Sequence, residues 1–395
     1  MSKRIQKEII TKIISEIDKD KLDACVFSSP DGVFYSTGFQ SRGLYRSGKA
    51  GGTLSFVTND GQVWLICSEF EKLSAQETCD ASVNILSYPV WIYIEDYAHA
   101  NDKKDVQPSS SSAINILVDI LENKFGSYKK IGIQFSWLNL VVGNQLQDKL
   151  SKYELVDCEN VLVESRVKKT DWEIDILRYN AQSSEIAMNK TANIVVPGNS
   201  IKDIYQLFDK YSRENEKWVS DVSHAHTVGS HFNPYWNPTD ERVKRGDLIR
   251  LDGGPYTEGY KSDLGRTFAV GNYVNDESQH IYDELWKGFY YGVNHIKPGV
   301  RFCDLFRGID NEIDLEKYNY VRGHYGHSLS CAVDGEEGPF ISPSEERTFE
   351  PGMVMCLETP FYGSKHQTFN IEDTFLVTEN GAEFFTHASP SLFTK

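Results

Sequence analysis

No apolar run in this 395-residue chain approaches the roughly eighteen residues that a membrane-crossing helix needs, which speaks against such a helix. The N-terminal stretch MSKRIQKEIITKIISEIDKDKL lacks the apolar core and small-residue cleavage site of a secretory leader, and reads instead as a charged amphipathic helix. The expected setting is the cytoplasm. Cysteine is sparse and irregular: seven, at 25, 67, 79, 158, 303, 331 and 356, with no CxxC pair, so neither a disulfide framework nor a zinc ribbon is indicated. These thiols read as small buried hydrophobes in a reducing compartment, and Cys356 is expected to pack in the core on the strand that carries Glu358. Basic residues are outnumbered, 41 against 57 acidic, and the net charge of −16 disfavours a nucleic-acid backbone as partner. The glycine-rich basic segment SRGLYRSGKAGGT at 41–53 does not contain the GxxxxGK[ST] phosphate loop. No internal repeat stands out, and the serine run at 109–112 is short enough to be a loop and helix N-cap.

What is present is the composition of a globular protein, 40% hydrophobic and 12% aromatic, at a length that calls for two or three domains. Short apolar runs at 24–29, 54–58, 63–67 and 83–88, with a helical stretch at 113–125, predict a small α/β domain with a mixed sheet over 1–165. Near 165 a strand-like run turns into a long helix announced by a capping box, Thr170 with Glu173, and a second domain is expected over 166–395. Helices are expected at about 201–214, 277–296 and 302–312, followed by strands from 321 onward. Helices grouped before hairpin-linked strands imply an α+β domain, an antiparallel sheet covered by helices on one face.

Asp252 and Asp263 stand eleven residues apart in DLIRLDGGPYTEGYKSDLGRTFAV (247–270), where glycines and a proline between strand-like runs predict a hairpin or meander. Two buried carboxylates side by side repel, and a shared proton or a metal ion relieves the repulsion. Downstream lie His327 in GHYGHSLS, Glu358 in MVMCLETP and Glu372 in NIEDTFLV, both glutamates inside apolar runs where an inward charge needs coordination or pairing. Singly, an Asp in a hairpin is a common turn former and a Glu on a strand commonly faces water. One histidine and four carboxylates form a hard, oxygen-rich set suited to Mn, Fe, Co or Zn.

The order Asp, Asp, His, Glu, Glu, with the phrases SDLGRTF, ETPFYG and IEDTFLVTENGAE, resembles the creatinase, aminopeptidase P and prolidase superfamily of metallopeptidases. The resemblance covers the chain from about Arg166 to the end and extends more weakly to the N-terminal domain. It implies the "pita-bread" fold, a curved antiparallel sheet in the C-terminal catalytic domain, preceded by a smaller α/β creatinase-type domain. It implies also that Asp263, His327, Glu358 and Glu372 hold one divalent ion and Asp252, Asp263 and Glu372 a second, with Asp263 and Glu372 as bridges. Manganese is the first expectation, with cobalt, iron or zinc as alternatives. A homodimer follows from the resemblance alone.

Two divalent ions can lower the pKa of a shared water toward neutrality, which makes hydrolysis of an amide or related C–N bond the expected reaction, with Glu358 as general base. The resemblance implies oxyanion-side histidines seventeen residues before the first Asp ligand and seven after the metal His, but those positions hold Tyr235 and Asp334, or Glu336 if two residues are inserted. A phenol can donate a hydrogen bond, whereas an ionised carboxylate cannot. These three join Glu358 as candidate catalytic residues. His231 and His324 are candidate substrate-binding residues, as is Arg42, or its neighbours Arg46 and Lys49, for an anionic substrate end. His224 and His226 alternate as on one side of a strand and are candidates for the cleft wall, His366 reads as a loop histidine, and Asp373 is either a partner behind the ligands or an exposed strand residue. The substrate expected is a short peptide or another small molecule. The expected function is an Xaa-Pro peptidase-like metallohydrolase; the alternatives are a creatinase-like or ectoine-hydrolase-like C–N hydrolase or a lyase on the same fold, and a catalytically silent metal-binding protein.

Overall fold

The computed structural model describes residues 3–48, 50–90, 109–214, 227–229, 238–333, 335–363 and 367–393. The chain divides into two compact units, Arg4–Arg166 and Val167–Lys395. In the first, α1 (Gln6–Lys19), β1 (Ala24–Phe27), α2 (Pro30–Thr37), α3 (Arg42–Ser47), β2 (Leu54–Thr58), β3 (Val63–Ser68), α4 (Glu69–Thr78) and β4 (Val83–Tyr88) precede α5 (Ser110–Lys124), β5 (Lys130–Ile133), α6 (Leu140–Lys149), β6 (Glu154–Asp157) and α7 (Glu159–Val167). Its six strands form one mixed sheet in the order β4-β3-β2-β1-β5-β6, antiparallel where β1, β2 and β3 pair and parallel elsewhere. Burial explains the run-like strand sequences: Val26, Phe56 and Ile66 pack with Leu117 and Leu121 of α5 and Leu146 of α6. The serine run behaves differently from expectation. Ser109 takes the N-cap position of α5 without a side-chain cap, and the hydroxyls of Ser110 and Ser111 turn instead to Gln145 Oε1 at 3.4 and 3.2 Å.

The second unit opens on α8 (Asp171–Ile194) and α9 (Ile201–Glu214). Both caps are legible as chemistry: Thr170 Oγ1 accepts from the Glu173 N–H at 3.3 Å while Glu173 Oε2 accepts from the Thr170 N–H at 2.7 Å, and Ser200 and Asp203 exchange the same pair of bonds. Then follow β7 (Thr227–Gly229), β8 (Leu248–Asp252), β9 (Tyr256–Thr257), β10 (Tyr260–Lys261), β11 (Gly265–Ala269), α10 (Asp276–His295) and α11 (Phe302–Glu312). The chain ends in β12 (Gly326–Leu329), β13 (Glu336–Phe340), β14 (Val354–Glu358), β15 (Phe361–Gly363), β16 (Gln367–Phe369), β17 (Glu372–Thr378) and β18 (Gly381–Phe384). The main sheet runs β13-β12-β14-β17-β11-β8-β7, with β18 beside β17, and every pairing in it is antiparallel.

Strand alternation separates the two faces of that sheet. On β14, Met355 and Leu357 join Leu285 and Phe289 of α10 and Leu305 and Ile309 of α11 in one core; on β17, Phe375 and Val377 do the same. A second core packs Ile249 and Leu251 of β8 against Ala187 and Met188 of α8 and Ile204 and Phe208 of α9. Helices thus cover the face opposite the carboxylates. The meander expected over 247–270 is present: β8 pairs with β11, and the small β9–β10 hairpin fills the turn between. One stripe of α8 holds that turn, since Glu173 Oε1 accepts from Tyr260 Oη at 2.9 Å, Asn180 Nδ2 donates to the Tyr260 carbonyl at 2.8 Å, and Ser184 donates to the Gly253 carbonyl.

Candidate metal centre

Five neighbouring strands or their ends deliver the expected ligands to one sheet face: His327 on β12, Glu358 at the end of β14, Glu372 at the start of β17, Asp263 just before β11, and Asp252 at the end of β8. Register sets the row: Glu358 is opposite Glu372, and Gly265 has Glu372 on one side and Asp252 on the other. The structure brings donor atoms of Asp263, His327, Glu372 and also Cys356 within 4.8 Å of one another. His327 Nδ1 lies 3.0 Å from the Ser328 carbonyl, which assigns the ring proton to that nitrogen and turns the Nε2 lone pair toward Asp263 Oδ2 at 3.4 Å and Glu372 Oε1 at 3.9 Å.

The remaining two ligands flank this group and are held by arginines. Arg250, two residues before Asp252 and therefore on the same strand face, donates from Nη1 to Asp252 Oδ2. Arg322 Nη2 donates to Glu358 Oε1 at 3.0 Å. Both guanidinium groups lie over the Tyr362 ring, at 5.7 and 5.8 Å from its centroid. His324 Nδ1 stands 3.2 Å from the same Glu358 oxygen without hydrogen-bond geometry, and its Nε2 is 3.9 Å from Glu336 Oε2. Glu336 lies on the edge strand β13 with 52% of its side chain exposed, so His324 is bracketed by two carboxylates, one deep and one at the rim.

Asn370 links Glu372 to Asp252 across Gly265, donating from Nδ2 to Glu372 Oε2 at 3.0 Å and to Asp252 Oδ2 at 3.4 Å. Gly265 makes the space for it, because a Cβ there would stand 2.2 Å from Asn370 Nδ2 and 3.0 Å from Glu372 Cβ. Gly265→Ala is therefore expected to cost about 1–3 kcal/mol by overpacking and to weaken metal binding about tenfold or more through loss of the Asn370 link. Thermal melting with a metal titration checks this; an unchanged affinity would remove Asn370 from the support of the centre. Behind Glu372, Asp373 turns to the opposite face and is buried: its Oδ1 accepts from Arg266 Nη2 at 2.7 Å and Thr386 Oγ1 at 2.5 Å, and its Oδ2 from the Ala388 N–H at 2.7 Å. Arg266 Nη1 also donates to the Glu372 carbonyl at 2.5 Å, so this pair braces the backbone that presents the ligand.

The electrostatics are those of a site that wants cations. Burial first, then the neighbouring carboxylates Asp252, Glu336 and Glu358, push the Asp263 carboxyl up to about 7 against the pull of His327. Its side chain is 18% open and that of Asp252 22%, so the cluster meets solvent through these two residues. Burial and then Asp263 and Asp252 carry Glu372 well above the usual carboxylate range; burial also raises Asp252, with Arg250 opposing. Burial works against the His327 cation, but Asp263, Glu336 and Glu358 outweigh it and raise the imidazole. For His324 burial dominates and lowers it. The donor chemistry and its mutual repulsion fit a bound divalent ion.

A pH dependence of the metal-free protein follows. Asp263, Asp252, Glu372 and His327 all hold protons more tightly folded than unfolded, so the folded state carries excess protons from the ordinary value of 3.8 up to about 7 for Asp263, and stability falls as pH rises through that window. Chelated protein is expected to melt several degrees lower at pH 8 than at pH 5. Melting curves in chelator read this, and an apo melting temperature that climbed with pH would contradict it.

Several expected residues fall elsewhere. Tyr235, His231, His224, His226, Asp334, His366 and Lys49 lie outside the described residues. Arg42 opens α3 in the first unit, exposed and lining a cleft there with Arg46 and Glu71. Cys356 corrects an expectation: it is fully buried, but it faces the ligands and not the helix-packed core, because it shares strand parity with Glu358. Arg250, Arg322, Arg266 and Asn370 went unread in the sequence, though a charged residue two positions before a strand ligand is a usable signal. Among the described residues no helix is long and apolar enough to cross a membrane.

Known proteins share this arrangement of domains. Residues 175–379 match the profile of metallopeptidase family M24, and residues 9–168 match the creatinase/prolidase N-terminal domain. An uncharacterized peptidase of Bacillus subtilis, YqhT, is 28% identical over 323 residues, 80% of this chain and 90% of its own. The Xaa-Pro dipeptidase of Pyrococcus horikoshii is 26% identical over 392 residues, 98% of this chain and 99% of its own. Among solved structures, an Xaa-Pro dipeptidase from Bacillus anthracis superposes with a TM-score of 0.80 at 21% identity, covering 98% of this chain and 99% of that one. The two-domain pita-bread fold is thereby shown.

Proposed function

The chain belongs to metallopeptidase family M24, with a creatinase/prolidase domain at its N-terminal side, and from that premise we propose that it is a metal-dependent hydrolase that cleaves the amide bond of short Xaa-Pro peptides. The observation that carries this reading is the gathering of Asp263, His327 and Glu372 donors within one ion's reach, flanked by Asp252 and Glu358, on the sheet face that the helices leave uncovered. Asp263, His327, Glu358 and Glu372 would hold one divalent ion and Asp252, Asp263 and Glu372 a second. Bound there, the ions supply Lewis acidity and bring the pKa of a water toward neutrality.

The chain's own groups would do the rest. Glu358 takes the proton of the attacking water on a carboxylate oxygen, and Arg322 holds that oxygen in place. His324, kept neutral by burial, has a ring nitrogen available to position the substrate carbonyl or leaving nitrogen. His324→Ala is expected to lower kcat/KM roughly a hundredfold with ion content unchanged; metal analysis beside steady-state kinetics separates this from a lost ion. The homodimer and the cytoplasmic setting belong to the same proposal, and light scattering of the purified protein tests the former.

A second reading keeps the centre and changes the substrate. Tyr235 and Asp334 or Glu336 stand where the resemblance implies histidines, and Arg250 and Arg322 add positive charge beside the ligands. The acid favours a cationic group and the two arginines an anionic one, together a small non-peptide C–N substrate that carries both. The deciding experiment assays Xaa-Pro dipeptides and longer Xaa-Pro peptides with Mn or Co added. Turnover there supports the first reading; its absence, with turnover of cyclic amidines or guanidino compounds, replaces it by the second. Fewer than one ion per chain after reconstitution would end both.

A further inference from the structure

The centre contains one donor that an oxygen-and-nitrogen ligand set does not require. Cys356 lies on β14 two residues before Glu358, so the pleat turns both toward the ligand face, while Met355 and Leu357 turn into the helix-covered core. Its cross-strand partners are His327 on β12 and Thr374 on β17. The sulfur shares a single group with Asp263, His327 and Glu372, all four donor atoms within 4.8 Å of one another. Donors around one ion at bond lengths of about 2.0–2.3 Å stand roughly 3.3–4.6 Å apart, depending on whether they are adjacent or opposite. The four atoms therefore already occupy nearly the volume of a coordination sphere.

The hydrogen bonds that now engage the thiol are weak ones. Cys356 Sγ is 3.7 Å from the Asp263 carbonyl and 3.7 Å from Thr374 Oγ1, and that carbonyl already accepts from Thr374 Oγ1 at 2.7 Å. A thiol retained for packing would be surrounded by hydrocarbon. This one faces an imidazole and two carboxylates, and among the described residues no other cysteine joins such a group.

We propose that Cys356 is a thiolate ligand of the ion held by Asp263, His327 and Glu372, which gives this chain a mixed sulfur, nitrogen and oxygen centre. The inference rests on the metal-centre reading above. On binding, the S–H bond breaks, its proton passes to solvent, and a sulfur lone pair forms the bond to the ion; no electron is transferred. A soft donor shifts preference away from manganese toward zinc, cobalt or iron, so the inference also revises the expected metal.

X-ray absorption of the full chain loaded with one equivalent of Co(II) tests this without reference to activity. The expected result is one sulfur scatterer at about 2.3 Å, together with a sulfur-to-cobalt charge-transfer band in the near ultraviolet. Cys356→Ser should keep its bound cobalt and visible d–d absorption and lose both sulfur signatures; Cys356→Ala serves the same comparison if the serine variant does not fold. In competition, the preference of the wild type for Zn(II) over Mn(II) should exceed that of the variant at least about tenfold, the size of effect expected from exchanging one ligand type. A wild-type spectrum with only nitrogen and oxygen scatterers overturns the sulfur assignment and leaves the hydrolase reading standing. A sulfur signal that survives in the variant overturns it as well, since another cysteine then supplies it. A chain that binds no cobalt fails both readings.

Discussion

Asp263→Asn is expected to lose bound metal and to lower kcat/KM by roughly a thousandfold or more, about 4 kcal/mol of transition-state stabilisation. Asp263 is the group most exposed to the competing demands of the centre: its Oδ2 lies 3.4 Å from His327 Nε2, its carboxyl is pushed up to about 7, and its donor belongs to the tight four-atom group. An amide keeps the shape and removes the charge. The same change should act with opposite sign on the metal-free protein, because it deletes a buried carboxylate repelled by Asp252, Glu336 and Glu358. At pH 8 the chelated variant should therefore melt above the chelated wild type, while with metal present the order reverses. Metal analysis, steady-state kinetics and paired melts read the three effects, and a variant with wild-type activity would refute the bridging role.

The second large effect is that of the ion on stability. At free metal about a thousand times its Kd, binding adds about 4 kcal/mol to the folded state, which for a unit of this size shifts the melting temperature by roughly 8–16 °C. The gain should be larger at pH 8 than at pH 5, since protons compete for Asp263 and Glu372 at the lower pH. The shift should belong to the unit built from Val167–Lys395, which carries all the proposed ligands. Calorimetric scans with and without chelator check this. A shift of less than about 2 °C at saturating metal would mean that the carboxylate cluster is held together without a cation.

Much of this was readable in advance because local chemistry carries it. Thr170 and Glu173 announce α8, and the caps, the apolar spacing of α9, α10 and α11, and the Gly-Pro-rich turn between β8 and β11 are each set within a few residues. Cys356 obeys the same local rule: the alternation that places Glu358 on the ligand face of β14 places Cys356 there as well. Arg322 is a different case. It lies thirty-six residues before Glu358, and no periodicity links the two.

By itself, then, the sequence determined the kinds of element, the α+β class with its creatinase-type first domain, and an ordered set of two aspartates, one histidine and two glutamates. Only the tertiary structure decided which of these residues meet. The sheet order β12-β14-β17-β11-β8 sets side by side strands separated by as much as 107 residues, bringing Asp263 to His327 and Cys356, spanning Asp252 and Glu372 with Asn370, and giving Glu358 to Arg322 and His324. Caps and alternation depend on neighbours a few positions away, whereas strand order is settled by burying both helix-facing cores at once, a balance summed over the whole unit that no short window of sequence contains.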